Sequence, residues 1–319
     1  MLQNFEIFTY FLVMVYERPE ANKGAKDPLK ILISLVKIIP QNFVSWLTGL
    51  LVRIHFPLFL RGFTNGLFVK IFGIDLSDAS KSLDEFETME DVFTRSLQPD
   101  ARPIQSAICS PVDGKLVWSI PVKDESEALQ VKGITMSLKS LVFGSTEPGT
   151  SFKPGWYSTV YLAPHNYHRV HSPVAGQLEK IHYIPGKLWP VNEIFTSVIP
   201  GLFTENERLV FEVTIDENES QGKVYIVMVG ALNVGRMTSP FWPEFASNDW
   251  LKQNTGHLAH TESVEPKIRL ESGDEIGTFM LGSTVVIVYD QDLGKSLNLK
   301  ECRETRTVRM GQSLLNNNL

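Results

Sequence analysis

The chain has 319 residues, 43% hydrophobic and 21% charged, which excludes disordered and fibrous classes and allows a sizeable core. A formal net charge of −6 argues against nucleic-acid binding through a global basic field. The two cysteines, Cys109 and Cys302, are too few for a disulfide framework and lack metal-site spacing, so buried free thiols are expected.

The charge is uneven along the chain. Residues 1–74 hold eight basic side chains against four acidic ones, a net +4, which leaves −10 for the other 245 residues. This basic segment is also rich in apolar residues. Phe5–Tyr16 is mostly apolar, but no small-residue cleavage site follows it, so a secretory signal is not expected. Pro40, Gln41 and Asn42, and then Arg53 and His55, interrupt the later apolar runs. None reaches the roughly 18 residues that spanning a bilayer requires. Between the interruptions, Phe43, Trp46, Leu47, Leu50, Leu51 and Ile54 form the stripe of an amphipathic helix. Aromatics on that stripe with Arg and Lys at its margins suit a helix lying in the membrane interface; core helices are the alternative. Residues 1–75 are therefore read as a membrane-associating helical segment. Leu76–Asp100 follows as a helical connector, with Leu83, Phe86, Met89, Val92 and Phe93 at helical spacing and Pro99 ending it.

From residue 101 the texture changes. Short β-branched runs alternate with Gly and Pro: Lys115–Ile120, Thr159–Leu162, Arg169–His171, Gln177–Ile184, Leu209–Ile215, Val224–Val234 and Thr284–Tyr289. The expected fold class is α+β: amphipathic N-terminal helices, then a mainly antiparallel β domain over 101–319. One echo suggests that this core has pseudo-repeated halves. Ser110-Pro111-Val112-Asp113-Gly114-Lys115-Leu116 recurs 62 residues later as Ser172-Pro173-Val174-Ala175-Gly176-Gln177-Leu178. The second copy has Ala where the first has Asp, which marks Asp113 as a candidate for chemistry beyond turn formation.

Three of the seven histidines, His165, His168 and His171, lie within seven residues. Without nearby carboxylates or cysteines the cluster is a weak zinc signal, and no metal site is expected. A catalytic base is the stronger reading, since imidazole is suited to proton transfer near neutrality. The second focus is Gly282-Ser283, which leads straight into a β run. It matches neither a nucleophile elbow nor a phosphate loop. From the residues alone, Ser283 is either a nucleophile with His and Asp partners or a turn residue.

Several stretches together resemble the phosphatidylserine decarboxylases, in the bacterial and mitochondrial branch with a Leu-Gly-Ser-Thr motif. They are Phe93–Pro103, Ser110–Gly114, Gln130–Gly133, Tyr161–Gly176, Asn206–Arg208, Val229–Ala231 and Gly273–Thr284. Asn166 and Arg236 depart from the common pattern, which has Asp and Ser there. The resemblance implies a precursor that cuts itself between Gly282 and Ser283 into a β chain, 1–282, and an α chain, 283–319. Ser283 then becomes a pyruvoyl cofactor that takes the substrate amine as a Schiff base. It implies an Asp113–His171–Ser283 triad for self-cleavage and assigns His168 to decarboxylation, by proton transfer or phosphate recognition. His165 is read as structural. The implied partners are phosphatidylserine, an anionic phospholipid membrane and the two chains of one precursor, with a homodimer left open. The implied location is peripheral, on the cytoplasmic face of a bacterial inner membrane. Two rival readings remain: a Ser-His-Asp lipid hydrolase without self-cleavage, and a non-catalytic lipid-binding β module.

Overall fold

The computed structural model describes residues 36, 38–123, 128–131, 134–144, 152–217, 220–232, 236–248, 260–280, 283–297 and 299–315. The apolar run Phe5–Tyr16 and the Leu281-Gly282 side of the expected cleavage bond lie outside the described residues.

Helix α1, Gln41–Val52, and helix α2, Leu58–Phe72, carry the N-terminal segment. The stripe read from the sequence is largely turned outward. Leu47, Leu50, Leu51 and Ile54 are exposed, while Ser45, Gly49 and Val52 are buried. On α2, Leu58, Phe59, Phe63 and Leu67 are exposed, and Asn65 and Phe68 are buried. Asn65 Nδ2 satisfies itself on the Phe86 carbonyl at 2.9 Å. The inward side of the two helices thus mixes small, polar and apolar groups, while most of their large apolar side chains face away from the protein. No helix among the described residues is long and apolar enough to cross a membrane.

The 76–100 connector is less helical than its periodicity predicts. Only a 3₁₀ turn, Leu83–Glu85, and helix α3, Met89–Phe93, form. Each starts at its own capping box, Ser82 with Glu85 and Thr88 with Asp91, so the segment is cut into separate short turns. Phe86, Val92 and Phe93 pack with Val52 and Phe68 into a small core of their own.

The body contains β1 Gly114–Pro121, β2 Ala128–Val131, β3 Ile134–Met136, β4 Pro154–Leu162, β5 Arg169–His171, β6 Gly176–Ile184 and β7 Arg208–Glu217. It continues with β8 Ser220–Val229, β9 Met237–Thr238, β10 His260–Leu270, β11 Glu275–Phe279, β12 Ser283–Asp290 and β13 Arg306–Val308. Eight strands form one antiparallel sheet in the order β10-β6-β7-β8-β12-β4-β1-β13, and β5-β11-β9 form a second, small one. The central strand β12 is buried almost throughout, as its Val-Val-Ile-Val-Tyr run requires. Both cysteines are free and buried.

The two halves of the core are related down to individual hydrogen bonds. Ser110 Oγ donates to the Val112 carbonyl at 2.8 Å, and Ser172 Oγ donates to the Val174 carbonyl at 2.7 Å. The turns then bind each other reciprocally: Cys109 N–H to the Pro173 carbonyl and His171 N–H to the Pro111 carbonyl, both at 2.9 Å. A Cβ at Gly114 or at Gly176 would strike a main-chain carbonyl of the neighbouring strand, so both copies need glycine there. The edge strands complete the pattern. β13 pairs with β1 and β10 pairs with β6, and each runs into a glycine turn, at 309–312 and at 271–274. Gly311 and Gly273 take φ of 81° and 95° and donate to the Ser110 and Ser172 carbonyls, respectively. The catalytic candidates Asp113 and His171 come from different halves, at non-equivalent positions of this repeat.

Candidate active site

The histidine loop begins where β4 ends. Asn166 closes the turn by accepting the Ala163 N–H on Oδ1 at 2.8 Å, while its own N–H reaches the Ala163 carbonyl at 2.9 Å. An aspartate would offer the same acceptor, so the departure at this position leaves the turn unchanged. The exit from the turn delivers His168 and then β5, where Val170 points into the core and Arg169 and His171 share the other face. Arg169 anchors that face, with Nε on the Thr94 carbonyl at 2.9 Å and Nη1 on Glu275 at 2.8 Å. His165 is exposed, and its contribution is its main-chain carbonyl, which accepts from Arg95.

His168 is fully buried. Its Nδ1–H donates to the Asn166 carbonyl at 2.8 Å, which fixes the tautomer and leaves Nε2 as a lone-pair acceptor. That Nε2 has no partner among the described residues. The Phe93 ring lies tilted against the imidazole, centroids 4.0 Å apart, so the small N-terminal core abuts this histidine. Burial holds the imidazole down to about 3, against its ordinary 6.5, despite the bond to Asn166.

His171 is bound at both nitrogens. Nδ1–H donates to the Gly273 carbonyl at 2.7 Å, and Nε2 accepts the Tyr167 hydroxyl at 2.9 Å. Burial lowers its pKa, partly offset by the Gly273 bond and by the charges of Glu275 and Asp113. It is therefore neutral at pH 7, the form a base must have. Burial raises the Tyr167 pKa, so its hydroxyl keeps the proton it donates.

Asp113 sits just before β1 and is held by three hydrogen bonds from Arg102, between 2.7 and 3.2 Å. The Met310 N–H adds a fourth at 2.8 Å. Arg102 also spans to Asp78 at 2.7 Å. Asp113 thus acts on His171 through space, and no direct hydrogen bond joins the two among the described residues.

Ser283 opens β12 opposite Leu162, and its Oγ is buried without a hydrogen-bond partner among the described residues. Main-chain ties draw the candidates to one region: Phe279 N–H donates to the His168 carbonyl at 3.0 Å, and His171 N–H reaches Pro111, two residues before Asp113. Among the described residues, an acceptor on His168 and a hydroxyl on Ser283 are therefore buried here without protein partners. Such atoms are costly in a fold that does not use them.

The sequence reading missed Arg95, Arg102, Tyr167, Gly273 and Met310. Arg95, Arg102, Tyr167 and Gly273 lie inside the stretches that carried the resemblance, which was the available signal. The Met310 amide comes from the backbone and had none.

Comparison with known proteins agrees with the reading of the motifs. The family model described as phosphatidylserine decarboxylase matches residues 89–316. The phosphatidylserine decarboxylase proenzyme of Alcanivorax borkumensis is 37% identical over 283 residues, covering 87% of this chain and 94% of that protein. Those of Anaeromyxobacter sp. (strain K) and Shewanella amazonensis are each 35% identical, covering 82% of this chain and 90% of their own lengths.

Proposed function

This chain belongs to the phosphatidylserine decarboxylase family, and from that premise we propose that it decarboxylates phosphatidylserine to phosphatidylethanolamine at a membrane surface. Before doing so, it makes its own pyruvoyl group by cutting the bond between Gly282 and Ser283. The observation that carries this reading is Ser283 itself: a buried hydroxyl without a partner among the described residues, on the first residue of a central strand, beside a histidine loop.

Self-cleavage asks Ser283 Oγ to attack the Gly282 carbonyl and turn the amide into an ester. The hydroxyl needs a base, and His171 is assigned that role. Tyr167 must first release Nε2, since its hydroxyl occupies the lone pair. Asp113 favours the imidazolium that forms, through its charge rather than by a direct bond. Elimination across the Cα–Cβ bond of Ser283 then expels the Gly282 carboxylate and with it the β chain, 1–282. Hydrolysis of the dehydroalanine left behind releases ammonia and leaves the pyruvoyl group on the 37-residue α chain. The surroundings fit such a group: a cut before Ser283 leaves β12 paired to β4 and β8, with the new terminus in a buried setting.

The pyruvoyl ketone, once formed, supplies an electron sink for the pair left behind when carbon dioxide departs. The chain supplies the rest. His168 Nε2 accepts the proton shed by the substrate amine and returns it to the carbon that lost carbon dioxide. The Phe93 ring against His168 and the burial of His168 itself exclude water from that proton.

Docking is assigned to the outward apolar residues of α1 and α2, on the cytoplasmic face of the membrane. A substrate with two acyl chains stays in the bilayer, and α3 connects those helices to His168 through Phe93. The direct test is conversion of phosphatidylserine vesicles by the purified chain, with Ser283→Ala alongside. The wild type is expected to form phosphatidylethanolamine and the variant none; an active Ser283→Ala enzyme overturns the proposal.

A further inference from the structure

We propose that Arg95 is the subsite for the substrate's head-group phosphodiester. The assignment rests on the decarboxylase reading and adds the residue that receives the one negative charge the substrate keeps in its product. Arg95 is 5% exposed. Its Nη2 donates to the His165 carbonyl at 3.2 Å, while Nε and Nη1 are buried with no hydrogen-bond partner among the described residues. A guanidinium carries five N–H donors and stays charged in proteins, so a desolvated one with a single neutral acceptor is an unfinished site.

Neighbouring carboxylates do not finish it. Asp113 and Asp75 act on Arg95 only through space. Asp113 is already held by Arg102 and the Met310 amide, and Asp75 accepts from the Ser77 N–H. The placement does point at the reaction centre. Three consecutive residues run along the histidine loop: the Phe93 ring contacts His168, the Thr94 carbonyl accepts from Arg169, and Arg95 reaches His165. The Arg95 charge is felt at both His165 and His168.

Two physical arguments select the phosphodiester. His168 cannot bind an anion in its neutral form, because Nδ1–H is engaged by Asn166 and Nε2 presents a lone pair. Of the two roles open to His168, proton transfer stays with it and phosphate recognition passes to Arg95. The substrate's carboxylate is also a poor match. A guanidinium bound to the departing group would stabilise the ground state and oppose loss of carbon dioxide. A phosphodiester keeps its charge from substrate to product, so binding it only positions the head group.

The test uses the full-length, self-cleaved enzyme with a short-chain, monomeric phosphatidylserine, which separates head-group binding from membrane docking. In Arg95→Met the mass of the two chains should match wild-type processing. Its KM should rise about tenfold or more, the range expected for a lost charge-assisted hydrogen bond. kcat should change far less. Inhibition by glycerophosphoethanolamine, which has the phosphodiester but no carboxylate, should weaken by the same factor, and inhibition by free serine should be unchanged. Arg95→Lys should lie between the two. An unmoved KM in an active, processed Arg95→Met enzyme overturns the assignment, and so does a loss that falls on serine instead. If Arg95→Met stays uncleaved, Arg95→Lys carries the same KM test; if both stay uncleaved, Arg95 serves folding or processing and the assignment fails. A wild type that cannot decarboxylate phosphatidylserine refutes the functional reading instead.

Discussion

The burial of His168 makes a quantitative prediction about acid stability. In an unfolded chain a histidine titrates near 6.5; in the folded protein this ring is fully buried and held down to about 3. Below 6.5 the unfolded chain takes up a proton that the folded chain does not, so the unfolded state gains as pH falls. The stability is fully present above 6.5 and is lost progressively toward 3. The gap corresponds to about 5 kcal/mol in total, and to about 2 kcal/mol by pH 5. The perturbation is His168→Asn, whose amide can still donate to the Asn166 carbonyl but does not titrate. Working in a Ser283→Ala background keeps the protein a single chain for urea denaturation. Between pH 7 and pH 5 the chain with His168 should lose about 2 kcal/mol more than the His168→Asn chain. His171 and His165, whose pKa values are also lowered, contribute equally to both and cancel. Equal losses in the two chains would refute the claim that His168 is held neutral by burial, and with it the lone pair assigned to Nε2.

The remaining predictions concern the groups around the reaction centre and the membrane face. Arg102→Met strands the Asp113 carboxylate in a largely buried site and should destabilise the fold by about 3 kcal/mol in urea denaturation; a change below 1 kcal/mol contradicts the pairing. Tyr167→Phe removes the hydroxyl that occupies His171 Nε2, so the half-time of precursor cleavage after a refolding jump should shorten or stay the same. A slower cleavage would show that Tyr167 is needed rather than in the way. Phe59→Glu with Phe63→Glu, at positions 82% and 70% exposed, should abolish sedimentation with anionic vesicles. Thermal stability should be nearly unchanged, as for other surface substitutions. Retained binding removes α2 from the docking face.

Much of the central sheet was legible because its strands have one physical signature. β7, β8 and β12 carry apolar, β-branched runs at the middle of the sheet, and their cores read directly from the chain. β10 and β13 did not, because both are edge strands. His260–Leu270 is mostly polar and contains Pro266, and Arg306–Val308 is only three residues long. The apolar run predicts that β8 continues to Val234, but it ends at Val229, where the Gly230 N–H leaves the ladder for the Glu207 carbonyl. The pseudo-repeat showed in the sequence only where side chains matter, in Ser-Pro-Val-x-Gly. Its other part, the turns at 271–274 and 309–312, shares a glycine and a hydrogen-bond pattern but almost no other residue. The site divides in the same way. Asp113, His168, His171 and Ser283 stood out as residue types in a pattern. Their partners depended on tertiary structure: Asp113 takes an amide from Met310, 197 residues away, and His171 takes a carbonyl from Gly273, 102 residues away.

The central claim is that one chain becomes two and that Ser283 ceases to be a serine. Intact mass of the purified protein tests it most directly. The expected result is a chain ending at Gly282 and a 37-residue chain beginning at position 283. The shorter chain should be lighter by one ammonia than a peptide starting with serine. A single 36.0 kDa chain that nonetheless converts phosphatidylserine would contradict the account.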